Sequence, residues 1–150
     1  MSEEKQNIST FENLQELPVI QVASTGANKG TLGISGYAQP LRIEKDWGYE
    51  LIYQNNELYC CKLLFIKSKQ SCSYHLHLTK HETLLVMSGV LEIDTTQNKI
   101  KRTYQVKQGE AFIVAPGFIH SLRATTESVT LIESSTPSYD TDSIRIASGS

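Results

Sequence analysis

Three of the chain's four histidines, His75, His77 and His81, fall within seven residues of SYHLHLTKHETLLVMSG, and the fourth, His120, ends GEAFIVAPGFIH. Imidazole nitrogens and carboxylate oxygens are the donors that transition metals take from proteins. On a strand, residues two apart point to the same face, so His75 and His77 project together. The chain must bend after Leu78, because Thr79 and Lys80 carry no strand pattern and ETLLVM begins a new run. Along that run Glu82, Leu84 and Val86 share one face, and Thr83, Leu85 and Met87 the other. Glu82 can thus return a carboxylate toward the two imidazoles, and the Pro116-Gly117 turn can aim His120 at the same centre. Three neutral imidazoles and one carboxylate suit one divalent transition metal, with positions left for water or substrate. Iron, zinc, manganese and nickel all accept these donors, so the metal's identity stays open. His81 could replace Glu82 as a ligand, act as an acid or base, or sit in solvent. Neighbours on a strand face opposite ways unless the backbone bulges, so we assign Glu82 inward and His81 to the surface.

The elements that must position these groups read as strands. From Trp47 onward YELIYQ, YCCKLLFIK, ETLLVM, VLEID, KIKRTYQV, AFIVA, HSLRAT and VTLIES follow one another, separated by QNNE, KSKQS, MSG, TTQN, KQGE, APGF and TTES. Most of the runs are rich in β-branched or aromatic residues, and none has a helical period. Many short strands at regular spacing indicate an all-β sandwich or barrel, and closure would protect the strand edges. Residues 1–40 differ: they are rich in Gly, Ser, Thr, Asn and Gln, with VIQV at 19–22 as one possible strand. STGANKGTLGISGYAQP lacks the Gly-Lys-Ser/Thr ending of a phosphate loop. The chain therefore divides into a loop-rich arm, 1–40, and an all-β domain, 41–150.

Composition narrows the partners. The 150 residues suit one domain, with 39% hydrophobic and 20% charged residues. A formal net charge of −2 without a basic cluster excludes a nucleic-acid footprint. No apolar run approaches a membrane span, and MSEEKQNISTFENLQ does not read as a signal peptide. Cys60, Cys61 and Cys72 are odd in number and fit small buried hydrophobes better than a disulfide framework, which points to the cytoplasm.

With these residues in view, the chain resembles the cupins. His75-x-His77-x4-Glu82-x6-Gly89 is similar to their first motif, and Gly109-x6-Pro116-Gly117-x2-His120 to their second, with one extra residue between Gly109 and Pro116. Nineteen residues separate the two motifs, room for the hairpin VLEID-TTQN-KIKRTYQV. The resemblance covers 43–145. It implies an antiparallel jelly-roll β-barrel that binds a metal inside through His75, His77, Glu82 and His120, and it suggests a homodimer. EKDWGYELIYQNNELYCCKLLFIK resembles the run before the metal motif in small cupins related to the cupin half of type II mannose-6-phosphate isomerases. PSYDTDSIRI is similar to a tail of single-domain cupins in sugar and surface-polysaccharide pathways.

Tyr59, Lys62 and Tyr74 are candidates to line the cavity and bind substrate, although alternation sends Tyr59 and Lys62 to opposite faces. Arg123, three residues past His120, reads as a surface charge, and Trp47 as a core or interface anchor. No residue reads as the general base. The resemblance favours a sugar or sugar-phosphate isomerase or epimerase. An Fe(II)-dependent dioxygenase and a non-catalytic sugar-binding cupin are the alternatives.

Overall fold

The computed structural model describes residues 38–147, and the expected arm, VIQV included, lies almost wholly outside them. The described residues form eleven strands: β1 (Leu41–Lys45), β2 (Gly48–Asn55), β3 (Cys60–Ile66), β4 (Tyr74–His77), β5 (Glu82–Ser88), β6 (Val90–Gln97), β7 (Ile100–Lys107), β8 (Ala111–Val114), β9 (His120–Ala124), β10 (Val129–Ser135) and β11 (Ser143–Ala147). They make a six-stranded sheet, β1-β2-β3-β10-β5-β8, and a five-stranded sheet, β11-β4-β9-β6-β7. Every strand pairing is antiparallel. This is the all-β jelly-roll barrel that the strand pattern and the resemblance imply.

Alternation along each strand makes the interior. Leu64 and Ile66 on β3, Leu84 and Val86 on β5, Leu91 and Ile93 on β6, Leu122 and Ala124 on β9, and Val129 and Leu131 on β10 form one buried cluster. Burial of such a side chain contributes about 1.5–3 kcal/mol. Trp47 packs against this cluster, in keeping with an anchoring role. Cys60 and Cys72 are buried, and all three cysteines are free.

Two turns help set how the strands around the histidines meet. The first runs from β8 into β9. Gly117 there takes φ +79°, which favours glycine, and its N–H donates to the His77 carbonyl at 2.7 Å. That bond ties the turn before His120 directly to β4. The second lies between β5 and β6, where Gly89 has φ +79° and a Cβ would come within 2.6 Å of the Ser128 carbonyl oxygen. The β6–β7 hairpin closes through Asn98 and Lys99, both at positive φ (50° and 66°), the conformation of a tight two-residue hairpin turn.

Candidate metal centre

The two motifs converge across one strand pair. β4 and β9 are neighbours, with His75 opposite His120. One ligating atom from each of His75, His77 and His120 lies within 4.8 Å of the others. The His75 ring centroid is 4.9 Å from that of His77 and 4.6 Å from that of His120.

The hydrogen bonds of the rings fix what they can do. His75 Nδ1–H donates to the Ser73 carbonyl at 2.8 Å, and His120 Nδ1–H to the Phe118 carbonyl at 2.9 Å. A proton held on Nδ1 leaves the Nε2 lone pair free, the usual orientation of a metal-binding imidazole. His77 Nδ1 is buried and makes no hydrogen bond; Asp142 Oδ2 lies 3.8 Å away. Burial above all lowers the affinity of these rings for a proton, to about 3 for His77 and about 4 for His120, and in the same direction for His75. All three are therefore neutral donors near pH 7. Two rings with backbone-anchored Nδ1, and a third whose Nε2 lies 3.5 Å from Glu82 Oε1, fit a metal ion.

Glu82 enters from β5 and is 3% exposed, whereas His81 is exposed. Glu82 Oε1 is 3.5 Å from His77 Nε2, and Oε2 is 3.6 Å from His120 Nε2. The carboxylate thus faces the histidine cluster as alternation predicts. It is not free, however: Lys80 Nζ lies 2.5 Å from Glu82 Oε1 and also pairs with Glu133 Oε1. Glu133 lies 4.0 Å from Lys62 Nζ, which is 3.6 Å from Glu50 Oε2, and Glu50 reaches Lys45 at 3.8 Å. Charges of alternating sign therefore run from the barrel rim to the histidines. Burial works against the charge on Glu133, but Lys62 and Lys80 outweigh it and hold the carboxyl at about 2. Burial and then Glu133 push Glu82 up to about 7, against the pull of Lys80. Lys80 stays protonated because Glu133 and Glu82 overcome its desolvation.

The substrate-binding candidates separate. Lys62 does lie inside, with its side chain 12% exposed, but as a partner of Glu50 and Glu133. Tyr74 faces away from its neighbour His75 by alternation, and its hydroxyl shares a 2.9 Å hydrogen bond with Thr96 Oγ1. Tyr59 precedes β3 and is 45% exposed. Neither tyrosine joins the histidine cluster. Arg123 pairs with Glu92 and Asp94, as a surface charge would.

Three buried groups escaped the sequence reading. Glu133 was detectable, because Val129, Leu131 and Glu133 alternate onto one face of VTLIES. Lys80 was not, since it sits in the bend between β4 and β5, where no periodicity applies. Asp142 lies within PSYDTDSIRI. Its carboxylate accepts from Thr79 N and Thr79 Oγ1, both at 2.8 Å, and from Lys80 N at 3.0 Å. The β11 strand that follows then pairs with β4, with Ser143 opposite His77. The tail thereby fixes the bend that carries Lys80 into the barrel.

Two antiparallel sheets closed over a histidine cluster define a small β-barrel with a candidate metal site. A family model described as "Cupin" matches residues 65–148, more than half of the chain, and the chain belongs to the cupins. No curated protein matches it. Among solved structures, it is similar to the capsular polysaccharide assembling protein CapF from Staphylococcus aureus, at 19% identity and TM-score 0.65, over 73% of this chain and 34% of that one. A structure of CapF with the inhibitor 3-isopropenyl-tropolone gives 19% identity and TM-score 0.65, over 73% and 35%. Oxalate decarboxylase from Bacillus subtilis at pH 4.6 gives 13% identity and TM-score 0.68, over 78% and 33%. The chain thus spans about a third of the length of these proteins, and at such identities the likeness is one of fold. Among the described residues, no helix is long and apolar enough to cross a membrane.

Proposed function

We propose that this cupin holds one divalent transition metal through His75, His77, His120 and Glu82, and acts on a sugar or sugar phosphate as an isomerase or epimerase. The observation that carries the metal is the convergence of three neutral imidazoles, with Glu82 Oε2 3.6 Å from His120 Nε2. Support for the sugar comes from the resemblance of the WGYE and DSIRI segments to sugar-pathway cupins. A likeness in fold to CapF, a capsular polysaccharide assembling protein, agrees with it. A cytoplasmic homodimer belongs to the same reading.

When bound, a divalent metal would polarise a substrate carbonyl and favour loss of the proton on the adjacent carbon. The chain's own residues prepare for that. Ser73 and Phe118 carbonyls hold two rings in the ligating tautomer. Lys80 holds Glu82 Oε1, which leaves Oε2 facing His120. The apolar layer behind the cluster keeps water out of that side.

The test is to incubate metal-loaded protein with hexose and pentose phosphates in deuterated water. Deuterium should enter at the carbon beside the carbonyl. No incorporation across the panel contradicts the isomerase. Oxygen uptake after iron loading would instead assign an Fe(II)-dependent dioxygenase, and saturable sugar binding without turnover a binding protein.

A further inference from the structure

A second group of residues lies at the open end of the β6–β7 hairpin, beside the strand that carries His120. Thr95, Gln97, Asn98, Ile100, Arg102 and Tyr104 line a cavity of about 170 Å³ at the end of the β6–β7 hairpin. The register shows which face it occupies. Leu91 pairs with Val106, and both are buried in the core. Ile93 pairs with Tyr104, Thr95 with Arg102, and Gln97 with Ile100. By alternation all of these share the sheet face that Leu91 and Val106 bury, and toward the hairpin end that face opens to solvent: Ile93 and Thr95 are buried, whereas Ile100 is 56% and Tyr104 36% exposed. On its other side, Thr95 is opposite His120. Tyr104 leads back to the same histidine through aromatic rings: 5.1 Å to Phe112, then 6.0 Å to Phe118, then 6.2 Å to His120. The cavity is therefore a neighbour of the candidate metal centre.

Its lining carries one cation, Arg102. None of the six lining residues is acidic. Lys62 and Lys80, inside the barrel, are neutralised by glutamates, and Arg123, at the surface, by Glu92 and Asp94. Among the described residues Arg102 meets no carboxylate and is exposed. A guanidinium presents a planar fork of donors that matches phosphate or carboxylate oxygens two at a time. Gln97 Nε2 donates to Thr95 Oγ1 at 3.1 Å and to the Ile119 carbonyl at 3.3 Å, which leaves its amide oxygen to accept from a hydroxyl.

We propose that this cavity binds the anionic end of the ligand, a phosphate or carboxylate held by Arg102, while the other end of that ligand faces His120. The proposal deepens the metal-site reading and rests on it only for the position of the second end.

The experiment is calorimetric titration of zinc-loaded protein with glucose 6-phosphate, glucuronate and glucose. At least one of the two anions should bind more tightly than glucose, and which one does so separates phosphate from carboxylate. Arg102→Gln should weaken that anion about ten- to a hundred-fold, leave glucose unchanged and keep the metal content. Arg102→Lys should retain part of the preference, because it keeps the charge without the fork. An Arg102→Gln protein with undiminished preference overturns the proposal. So does a native protein that favours neither anion over glucose, or binds none of the three. The His75→Ala, His77→Ala double variant separates the two claims: if metal never binds but the Arg102-dependent preference persists, the metal site fails and the anion site stands.

Discussion

The barrel interior has two ends, and five strands cross from one to the other with the same composition. Reading inner-facing residues only, β3 gives Ile66, Leu64, Lys62, β5 gives Val86, Leu84, Glu82, and β6 gives Leu91, Ile93, Thr95. β9 gives Ala124, Leu122, His120, and β10 gives Val129, Leu131, Glu133. Two apolar residues are followed by one polar residue each time, and the registers bring the polar ones to a single end. The apolar end is held by burial alone and needs no partners. The other end buries ionisable groups, which is tolerated only when they are paired. Its lysines alternate with its glutamates for that reason, while the histidines are kept neutral by burial. One end supplies stability, and the other places donor atoms in a desolvated space at a cost that its own pairing offsets.

The largest way to break this comparison is at Lys80. Lys80→Met leaves Glu82 and Glu133 buried without their shared cation and should destabilise the fold by about 3–5 kcal/mol, read as a lower urea midpoint. Added divalent metal should return part of the loss, because it supplies positive charge beside Glu82. Replacing the group together, as Lys80→Met, Glu133→Leu and Lys62→Met, should recover much of the stability, since an apolar set needs no pairing. At the opposite end Leu84→Ala should cost about 2–5 kcal/mol through the cavity it leaves. That loss should come with unchanged metal content and no special response to metal, which sharpens the division of labour.

Acid should act on the polar end first. His77 and His120 titrate at about 3 and about 4 in the fold, below the usual value of about 6.5. Between those limits the unfolded chain binds protons that the folded chain refuses. Glu82, held at about 7 in the fold, works the other way and offsets part of this between about 7 and 4.5. The histidines outnumber it, so stability of the metal-free protein should fall as pH drops from about 6.5 toward 3–4, and bound metal should deepen the fall because protons displace it. Thermal unfolding across this range checks the sign. The smallest effect is expected at Asp142→Asn, which weakens the anchor of the bend at Thr79 and Lys80. Metal affinity should fall about tenfold with little change in the apolar core, measured by competition with a chelator.

Much of this was legible in the sequence because period-two alternation is a local signal. His75 with His77, Glu82 with Leu84 and Val86, and the inward assignment of Glu82 over His81 all follow from it. The pairing of Glu82 with Lys80 does not, because Lys80 sits in a bend and is drawn inward by Asp142, 62 residues further on. Tyr74 shows the limit of reading by adjacency. It lies beside His75, but adjacency on a strand means the opposite face, and its hydroxyl meets Thr96 instead. Arg102 was unreadable for a different reason: the sheet face it shares with Thr95 depends on the β6–β7 register, which the Asn98-Lys99 turn sets.

The central claim is that the polar end holds a metal, and elemental mass spectrometry of the purified protein tests it most directly, beside the His75→Ala, His77→Ala double variant. The account predicts about one transition metal per chain in the native protein and none in the variant. Metal absent from the native protein even after reconstitution, or retained undiminished by the variant, would contradict it.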